Sequence, residues 1–330
     1  AFLVAYCSTP VLRRLAVKFD ILDRPNRRKM HKHPVPLLGG LAIYLGLVSG
    51  LILNQEAFGF LSNVLIGATI ILVIGLIDDI LGLSAQIRLI GQLLAALIMI
   101  SSGIRLTFLP ESLWGDATEI ILTLIWIVGI TNALNYLDGI DGLAAGLSAI
   151  SAFFLAIISY QTGQLGIGLV AVVLMASCLG FLPHNFKRAK VFLGDAGSTF
   201  LGFILAGIAV QGDWAEDNIV KLAVPILILA IPIFDMVLTT IMRIREAKVS
   251  TFVEWLKYGG KDHFHHRLIS LGLLSREATF FIYFVSISFG INAIMVSNEK
   301  AIVGILSILQ ASIVLGGITV LMLIGRRLHK

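Results

Sequence analysis

Residues 119–160 read EIILTLIWIVGITNALNYLDGIDGLAAGLSAISAFFLAIISY. Two apolar stretches, 119–135 and 143–160, flank a short polar break that contains Asp138-Gly-Ile-Asp141-Gly. Each stretch approaches the roughly 20 apolar residues that one helix needs to cross a bilayer core. Asp-Gly pairs mark turns. The segment therefore predicts two membrane helices joined by a tight acidic turn.

The same pattern runs outward in both directions. Of the 330 residues, 57% are hydrophobic and only 14% charged, and mean hydropathy is +0.94. Soluble domains are about a quarter charged. A water-soluble fold could not hide so much apolar surface, whereas a bilayer accepts it. Cutting at the polar breaks gives about eleven spans by that length rule. They lie near 1–12, 38–54, 60–77, 87–102, 119–135, 143–160, 165–182, 198–211, 219–242, 278–296 and 301–324. The first is too short to span alone and the chain begins without Met, so 1–12 is read as the remainder of a longer first span. The expected fold is all-α: one polytopic transmembrane helical bundle, residues 1–330, with no soluble domain attached. Cys7 and Cys178 both lie in apolar runs, which argues against a disulfide framework or a thiolate metal site.

Lys and Arg set the orientation. With the loop after the first span placed in the cytoplasm, 22 of the 25 basic residues fall on that side. Arg105, Lys221 and Lys300 fall on the other. The N-terminus is thus expected outside and the C-terminus inside. Inner loops near 13–37, 78–88, 136–142, 183–198 and 243–277 are expected to form the site. A transporter would favour charges at mid-span or paired broken helices in two related halves. Here the polar residues gather at one face and no internal repeat is evident. A non-catalytic scaffold would have no need of so many uncompensated carboxylates.

Asp78 and Asp79 end the third span as Gly-Leu-Ile-Asp-Asp. Adjacent carboxylates at a helix C-terminus repel one another and the helix dipole alike. They are either a solvated terminus, or a cation site or proton acceptor for a lipid phosphate. Asn132, Asn135, Asp138 and Asp141 recur every three residues. A regular helix would carry Asn132 and Asp141 apart, so Gly139 and Gly142 are expected to break it and bring both aspartates to one pocket. The bland alternative is an Asp-Gly turn. His184 and Asn185 lie in the next inner loop. There Leu193-Gly-Asp-Ala-Gly-Ser opens the eighth span, where small residues would let a phosphate reach backbone N–H groups. Asp195 is then a plain N-cap or a ligand for Mg²⁺, which takes few protein ligands beside phosphate oxygens.

The last large inner loop holds Asp262-His-Phe-His-His-Arg. Before it, Thr251 and Glu254 fit a capping box that opens a short helix on the membrane surface, ended by Gly259-Gly260. If Asp262 caps a further helix, His263 and His266 share a face. Zinc is disfavoured, with no cysteine nearby and no His-Glu-x-x-His. Histidines that hold phosphate or sugar fit better; purely structural histidines are the alternative. The first inner loop, from Asp23-Arg-Pro through Lys29, His31 and Pro36 to Gly39-Gly40, is densely basic. Part of that charge anchors to anionic lipid. The prolines and the Gly pair at the next span also suit a rigid loop facing phosphate.

Six segments in order resemble the polyprenyl-phosphate N-acetylhexosamine-1-phosphate transferases. They are Asp23-Arg-Pro with Arg28-Lys-Met-His and Pro36 to Gly40; Gly75 to Asp79; Asn132 to Leu143; Phe192 to Ser198; Pro232-Ile-Phe-Asp; and His263-Phe-His-His-Arg-Leu. The resemblance implies that a polyprenyl phosphate attacks the β-phosphorus of a UDP-sugar and UMP leaves. It implies Mg²⁺, with Mn²⁺ able to substitute. Asp195, with Asp79, would hold the metal; Asp78 and Asp79 would lie near metal and lipid phosphate; Asp138 and Asp141 would act at the nucleotide site. His263, His265 and His266 would face diphosphate and sugar. Asn132, Asn135, Asn185, Lys29, His31 and Arg267 would contact substrate. Direct attack by the lipid phosphate is preferred over a covalent aspartyl route.

The spacing His-x-His-His-Arg-Leu is similar to the GlcNAc-1-phosphate branch, which initiates cell-envelope polysaccharides. The phospho-MurNAc-pentapeptide transferases of peptidoglycan synthesis are the rival branch. Residues 243–251 depart from an Arg-Arg and Gly-Arg-Ser-Pro pattern common in the GlcNAc branch, which leaves sugar recognition open. The implied partners are UDP-GlcNAc, undecaprenyl phosphate and membrane lipids, with a homodimer allowed and nucleic acid not among them. The implied location is a bacterial plasma membrane, with the site on its cytoplasmic face.

Overall fold

A computed structural model describes residues 1–25, 33–53, 62–110, 112–258 and 260–328. Among the described residues, ten of the eleven apolar stretches hold one helix each and 219–242 holds two. In chain order, α1 is Phe2–Lys18, α2 Gly39–Ile52, α3 Ser62–Leu81, α4 Ala85–Ser101, α5 Leu113–Leu137, α6 Leu143–Gln161, α7 Leu165–Asn185 and α8 Gly194–Gln211. There follow α9 Asn218–Ile228, α10 Ala230–Arg245, α11 Phe252–Lys257, α12 Phe264–Ser270, α13 Ser275–Val296 and α14 Ala301–Leu328. Among the described residues seven helices are long and apolar enough to cross a membrane, or eight if a bent pair is one span.

That bent pair corrects the reading of 219–242 as one continuous span. The helices α9 and α10 meet at 77°. Pro225 lies inside α9 and Pro232 in the first turn of α10. Proline supplies no N–H and its ring clashes with the preceding turn, so the ladder breaks between them. The all-α expectation is modified by one small ribbon. Leu22–Asp23 (β1) pairs antiparallel with Val35–Pro36 (β2). Pro36 C=O accepts from Phe192 N–H, which ties the ribbon to the segment before α8.

Helix α8 is the axis of the bundle. Every residue from Ala196 to Val210 is buried, whereas α14 at the rim is largely exposed to the surroundings. Lipid tails are as apolar as Leu, so helices in a membrane associate through close packing, with small residues at the contacts. A Cβ added at Gly40 would run into the Gly197 backbone, and one at Gly75 into the Ala196 backbone. The helices α2 and α3 thus touch α8 main chain to main chain, just where α8 begins.

The capping box of Thr251 and Glu254 forms as expected and opens α11. The polar break in 119–160 also behaves as read: α5 stops at Leu137 and α6 starts at Leu143. Gly142, the residue before α6, has φ +77°, a conformation that glycine adopts without strain.

Gly75→Ala should push α3 away from α8 and lower stability by about 1–3 kcal/mol, as over-packing does. Gly316→Ala, on α14 with open space around it, should leave stability unchanged. Thermal unfolding in detergent reads both, and equal midpoints for the two variants would contradict the close-contact account.

Candidate active site

The five aspartates singled out in the sequence meet in space. Asp78, Asp79, Asp138, Asp141 and Asp195 line one cavity of about 650 Å³, and Asp23 on β1 adds a sixth carboxylate. Asn135, Asn185, Ser198 and His266 line it too. The cavity lies where α3 ends, α8 begins and the α5–α6 turn passes.

Asp79 decides the local geometry. Its Oδ1 accepts from the Asp195 N–H (2.8 Å) and its Oδ2 from the Ala196 N–H (3.2 Å). A carboxylate thus closes the amino end of α8, where unpaired N–H groups and the helix dipole favour negative charge. This corrects the expectation that phosphate reaches those N–H groups, because they are already satisfied. Nor is Asp195 an N-cap. Leu193 holds that position, and Asp195 lies in the first turn with its carboxylate directed into the cavity. Gly194 has φ +74°, and a Cβ there would strike the Asp79 carboxylate. The Gly39-Gly40 pair also differs from its reading as a phosphate-facing loop. Its N–H groups donate to the carbonyls of Phe192 and Leu193, both at 3.0 Å.

Asp195 is fixed from its side chain as well. Asn135 Nδ2 donates to Asp195 Oδ1 (2.6 Å) and to Ser198 Oγ (2.8 Å). Arg88 lies 3.1 Å from Asp78 Oδ2 and 3.6 Å from Asp195 Oδ2, while Asp78 Oδ1 accepts from Leu83 N–H. Arg88 was counted in the sequence only toward orientation. Its signal was weak: a cation in the inner loop ten residues after Asp78. Among the described residues, Arg88 is the guanidinium that contacts these carboxylates, at Asp78 and Asp195. Burial, then the charges of Asp195, Asp141 and Asp23, push the Asp138 carboxyl up to about 8.

The α5–α6 turn is clamped from outside. Asp141 Oδ2 accepts from Ala189 N–H (2.9 Å). Tyr283 Oη donates to the Gly142 carbonyl (2.5 Å). Asn185, expected to contact substrate, lines the cavity with 3% of its surface exposed, and its side chain joins Gly142 N–H to the Val191 carbonyl. Asn132, expected at the same site, forms a reciprocal amide pair with Gln92 (2.6 and 3.3 Å) and is not among the cavity's lining residues. Its side chain ties α5 to α4.

The histidines divide. His263 and Asp262 belong to a buried polar chain. Asp235 Oδ2 lies 2.7 Å from His263 Nδ1, and Arg243 Nη2 lies 3.1 Å from His263 Nε2. Arg243 grips Asp262 with two bonds of 2.8 Å. His263 also stacks on Tyr136, with ring centroids 4.9 Å apart. The helix α12 therefore starts from His263, not from an Asp262 cap, and His263 and His266 do not present one face to the cavity. Asp262 is held below the usual carboxylate range by Arg243, which outweighs its burial. His265 is fully buried, with both ring nitrogens unpaired in the structure. It packs where a Cβ on Gly139 would sit, so it shapes the aspartate turn from behind. His266 reaches the cavity. Arg267 points elsewhere: its Nε donates to the Asp262 carbonyl, and it lines a second, smaller cavity. Lys29 and His31 lie outside the described residues.

Among the described residues no three His, Cys, Asp or Glu side chains converge as a complete metal cage. The arrangement suits a cation that takes one or two carboxylates and fills its shell with water and phosphate, as Mg²⁺ does.

Comparison with known proteins is consistent with this geometry. Residues 61–213 match the family described as glycosyl transferase family 4. A probable undecaprenyl-phosphate N-acetylglucosaminyl 1-phosphate transferase of Bacillus subtilis is 36% identical over 88% of this chain and 81% of its own length. A decaprenyl-phosphate N-acetylglucosaminephosphotransferase of Mycobacterium tuberculosis is 32% identical over 99% of this chain and 88% of its own. An undecaprenyl-phosphate alpha-N-acetylglucosaminyl 1-phosphate transferase of Yersinia pestis is 30% identical over 84% and 77%.

Two measurements probe the site. Arg243→Met should strand the Asp262 carboxylate in a buried setting and cost about 3–5 kcal/mol. An unchanged unfolding midpoint would contradict the buried pair. Burial, with the neighbouring charges of His263 and Lys261, pushes His266 down to about 4 from an ordinary value of 6.5. Between those values the unfolded chain takes up a proton that folded His266 refuses. The stability difference between wild type and His266→Gln should therefore shift against wild type as pH falls from 6.5 to about 4. A difference that stays constant across that window would show His266 to titrate normally.

Proposed function

The chain belongs to the polyprenyl-phosphate N-acetylglucosamine-1-phosphate transferases of glycosyl transferase family 4, and we propose that it transfers GlcNAc-1-phosphate from UDP-GlcNAc to undecaprenyl phosphate, releasing UMP. The observation that carries this reading is the single cavity in which five aspartates from three separate segments meet beside one arginine and one histidine. Phosphoryl transfer asks a protein for positioning and charge neutralisation more than for covalent chemistry. Two phosphate-bearing substrates cannot enter so acidic a cavity without a cation.

Mg²⁺ fits the residues present. Asp195 would hold it, with Asp79 alongside, since each Asp79 oxygen that accepts one N–H keeps a further lone pair. When bound, the ion supplies charge neutralisation on the diphosphate and on the departing UMP. An oxygen of the lipid phosphate forms a bond to the β-phosphorus of UDP-GlcNAc. The bond from that phosphorus to the oxygen bridging it to the α-phosphorus breaks, and its electrons leave with UMP. Arg88, between Asp78 and Asp195, places positive charge near the same phosphates. Asp138, pushed up to about 8 mainly by burial, keeps its proton at pH 7 and is suited to donate a hydrogen bond to a phosphate oxygen. His266, neutral at pH 7, presents its ring at the cavity wall as a hydrogen-bonding contact for sugar or diphosphate. The reaction would be the initiating step of a cell-envelope polysaccharide.

For a chain of about eleven spans, the basic residues gathered on one side support an outside N-terminus and an inside C-terminus. That orientation supports a cavity at the cytoplasmic face of the plasma membrane, within reach of a soluble nucleotide sugar and a lipid headgroup.

Purified protein with Mg²⁺ and undecaprenyl phosphate should release UMP from UDP-GlcNAc and not from UDP-MurNAc-pentapeptide. Asp195→Asn should abolish that release while leaving the unfolding midpoint within the range of a surface substitution. Release with the pentapeptide sugar alone would move the chain to the peptidoglycan branch, and near-normal turnover by Asp195→Asn would remove the metal role.

A further inference from the structure

A second cavity lies behind α12, on the far side of His266 from the aspartates. Its volume is about 160 Å³, a quarter of the first. That is below the range of pockets that enclose a whole drug-sized ligand, roughly 300–1,000 Å³, so it suits a single phosphate group and not a nucleotide sugar. Three basic side chains line it: Lys248 from the segment after α10, Lys261 from the segment before α12, and Arg267 from α12 itself. Asp262 also faces it, but that carboxylate is taken by Arg243 through two 2.8 Å bonds. Lys261 has no carboxylate partner among the described residues, and Lys248 pairs with Glu246.

Apolar side chains from α10 and α14 line the cavity as well, with Thr319 of α14 among them. Met242 of α10 and Met322 of α14 form part of that lining, both nearly buried. Outside it, α10 presents Val237, Ile241 and Ile244, and α14 presents Leu321 and Ile324, all more than one third exposed. These helices are the lipid-facing rim of the bundle. A cavity lined by cations and methionines, with a greasy surround, is chemically matched to a phosphate that carries acyl chains.

We propose that this cavity binds the phosphate of an anionic bilayer phospholipid, a site separate from the aspartate cavity. Such a lipid would bridge α10, α12 and α14. By fixing α12 it would steady His265 against Gly139 and His266 in the wall of the first cavity, so anionic lipid would raise both stability and turnover. The turnover arm rests on the proposed transferase reaction; the stability arm does not.

The test uses the whole protein in phosphatidylcholine nanodiscs, with and without phosphatidylglycerol. Wild type should show a higher unfolding midpoint when phosphatidylglycerol is present, because a ligand that binds only the folded state stabilises it. The double variant Lys248→Gln, Lys261→Gln should lose that shift while keeping the wild-type midpoint in phosphatidylcholine alone. Each single variant is measured alongside in case the double variant does not fold. Arg13→Gln with Arg14→Gln, which removes two basic residues of α1, should keep the shift and so separates this cavity from general attraction to an anionic surface. UMP release should rise several-fold with phosphatidylglycerol in wild type and not in the lysine variants.

An equal shift in wild type and the lysine variants would overturn the site. So would a lysine-dependent shift produced in phosphatidylcholine by inorganic phosphate or glycerol-1-phosphate, which would assign the cavity to a free phosphate. A lysine-dependent shift from phosphatidylglycerol, in a protein that releases no UMP in any disc, would keep the lipid site and refute the transferase reading.

Discussion

The amino end of α8 is the point on which the rest of the site depends, and one carboxylate holds it. Asp79 accepts the N–H groups of both Asp195 and Ala196. Those donors have no partner inside the helix, and leaving them unpaired within a bundle would be costly. The same contact brings the end of α3 against the start of α8. It can form because Gly75 lets the α3 main chain approach Ala196 and Gly194 leaves room for the Asp79 carboxylate. Packing that lipid alone would not drive is thereby coupled to a fixed orientation for Asp195.

Charge explains why the cavity is built as it is. Adjacent acids at the C-terminal end of α3 oppose its dipole. The structure offsets that cost by directing Asp79 to the opposite pole of a different helix and Asp78 to Arg88 and Leu83 N–H. Among the described residues, Asp138 has no ion-pair partner and Asp195 shares Arg88 with Asp78. Unbalanced carboxylates in a cavity are a preorganised receptor for a cation and, through it, for phosphates. Behind this cluster, the Asp235–His263–Arg243–Asp262 chain is fully paired, as a buried polar network must be to be stable. It serves as the rigid mount for α12.

Much of this was legible in the residues. The polar break at 136–142 marked both a helix boundary and a site, because Asp-Gly pairs between apolar runs have few other uses in a membrane protein. The five aspartates could be gathered because each sits at the same end of its span. The partners of each group were harder to read. Asn132 and Asn135 look alike in sequence and lie only about 60° apart around α5, yet nearly one turn along it separates them, so one meets Gln92 and the other Asp195. His263 and His266 differ likewise, since a buried arginine twenty residues upstream draws one away from the cavity. Long-range pairings of this kind, and the 77° bend between two prolines, have no local signature. Hydropathy counts apolar residues without registering where a helix breaks.

The account predicts transfer of a sugar together with its phosphate, not of the sugar alone. The most direct test is the mass of the lipid formed when the purified protein, in nanodiscs that contain undecaprenyl phosphate, is given UDP-GlcNAc and Mg²⁺. The account predicts undecaprenyl diphosphate carrying one N-acetylhexosamine. A lipid monophosphate carrying that sugar, or an unaltered lipid, would contradict it.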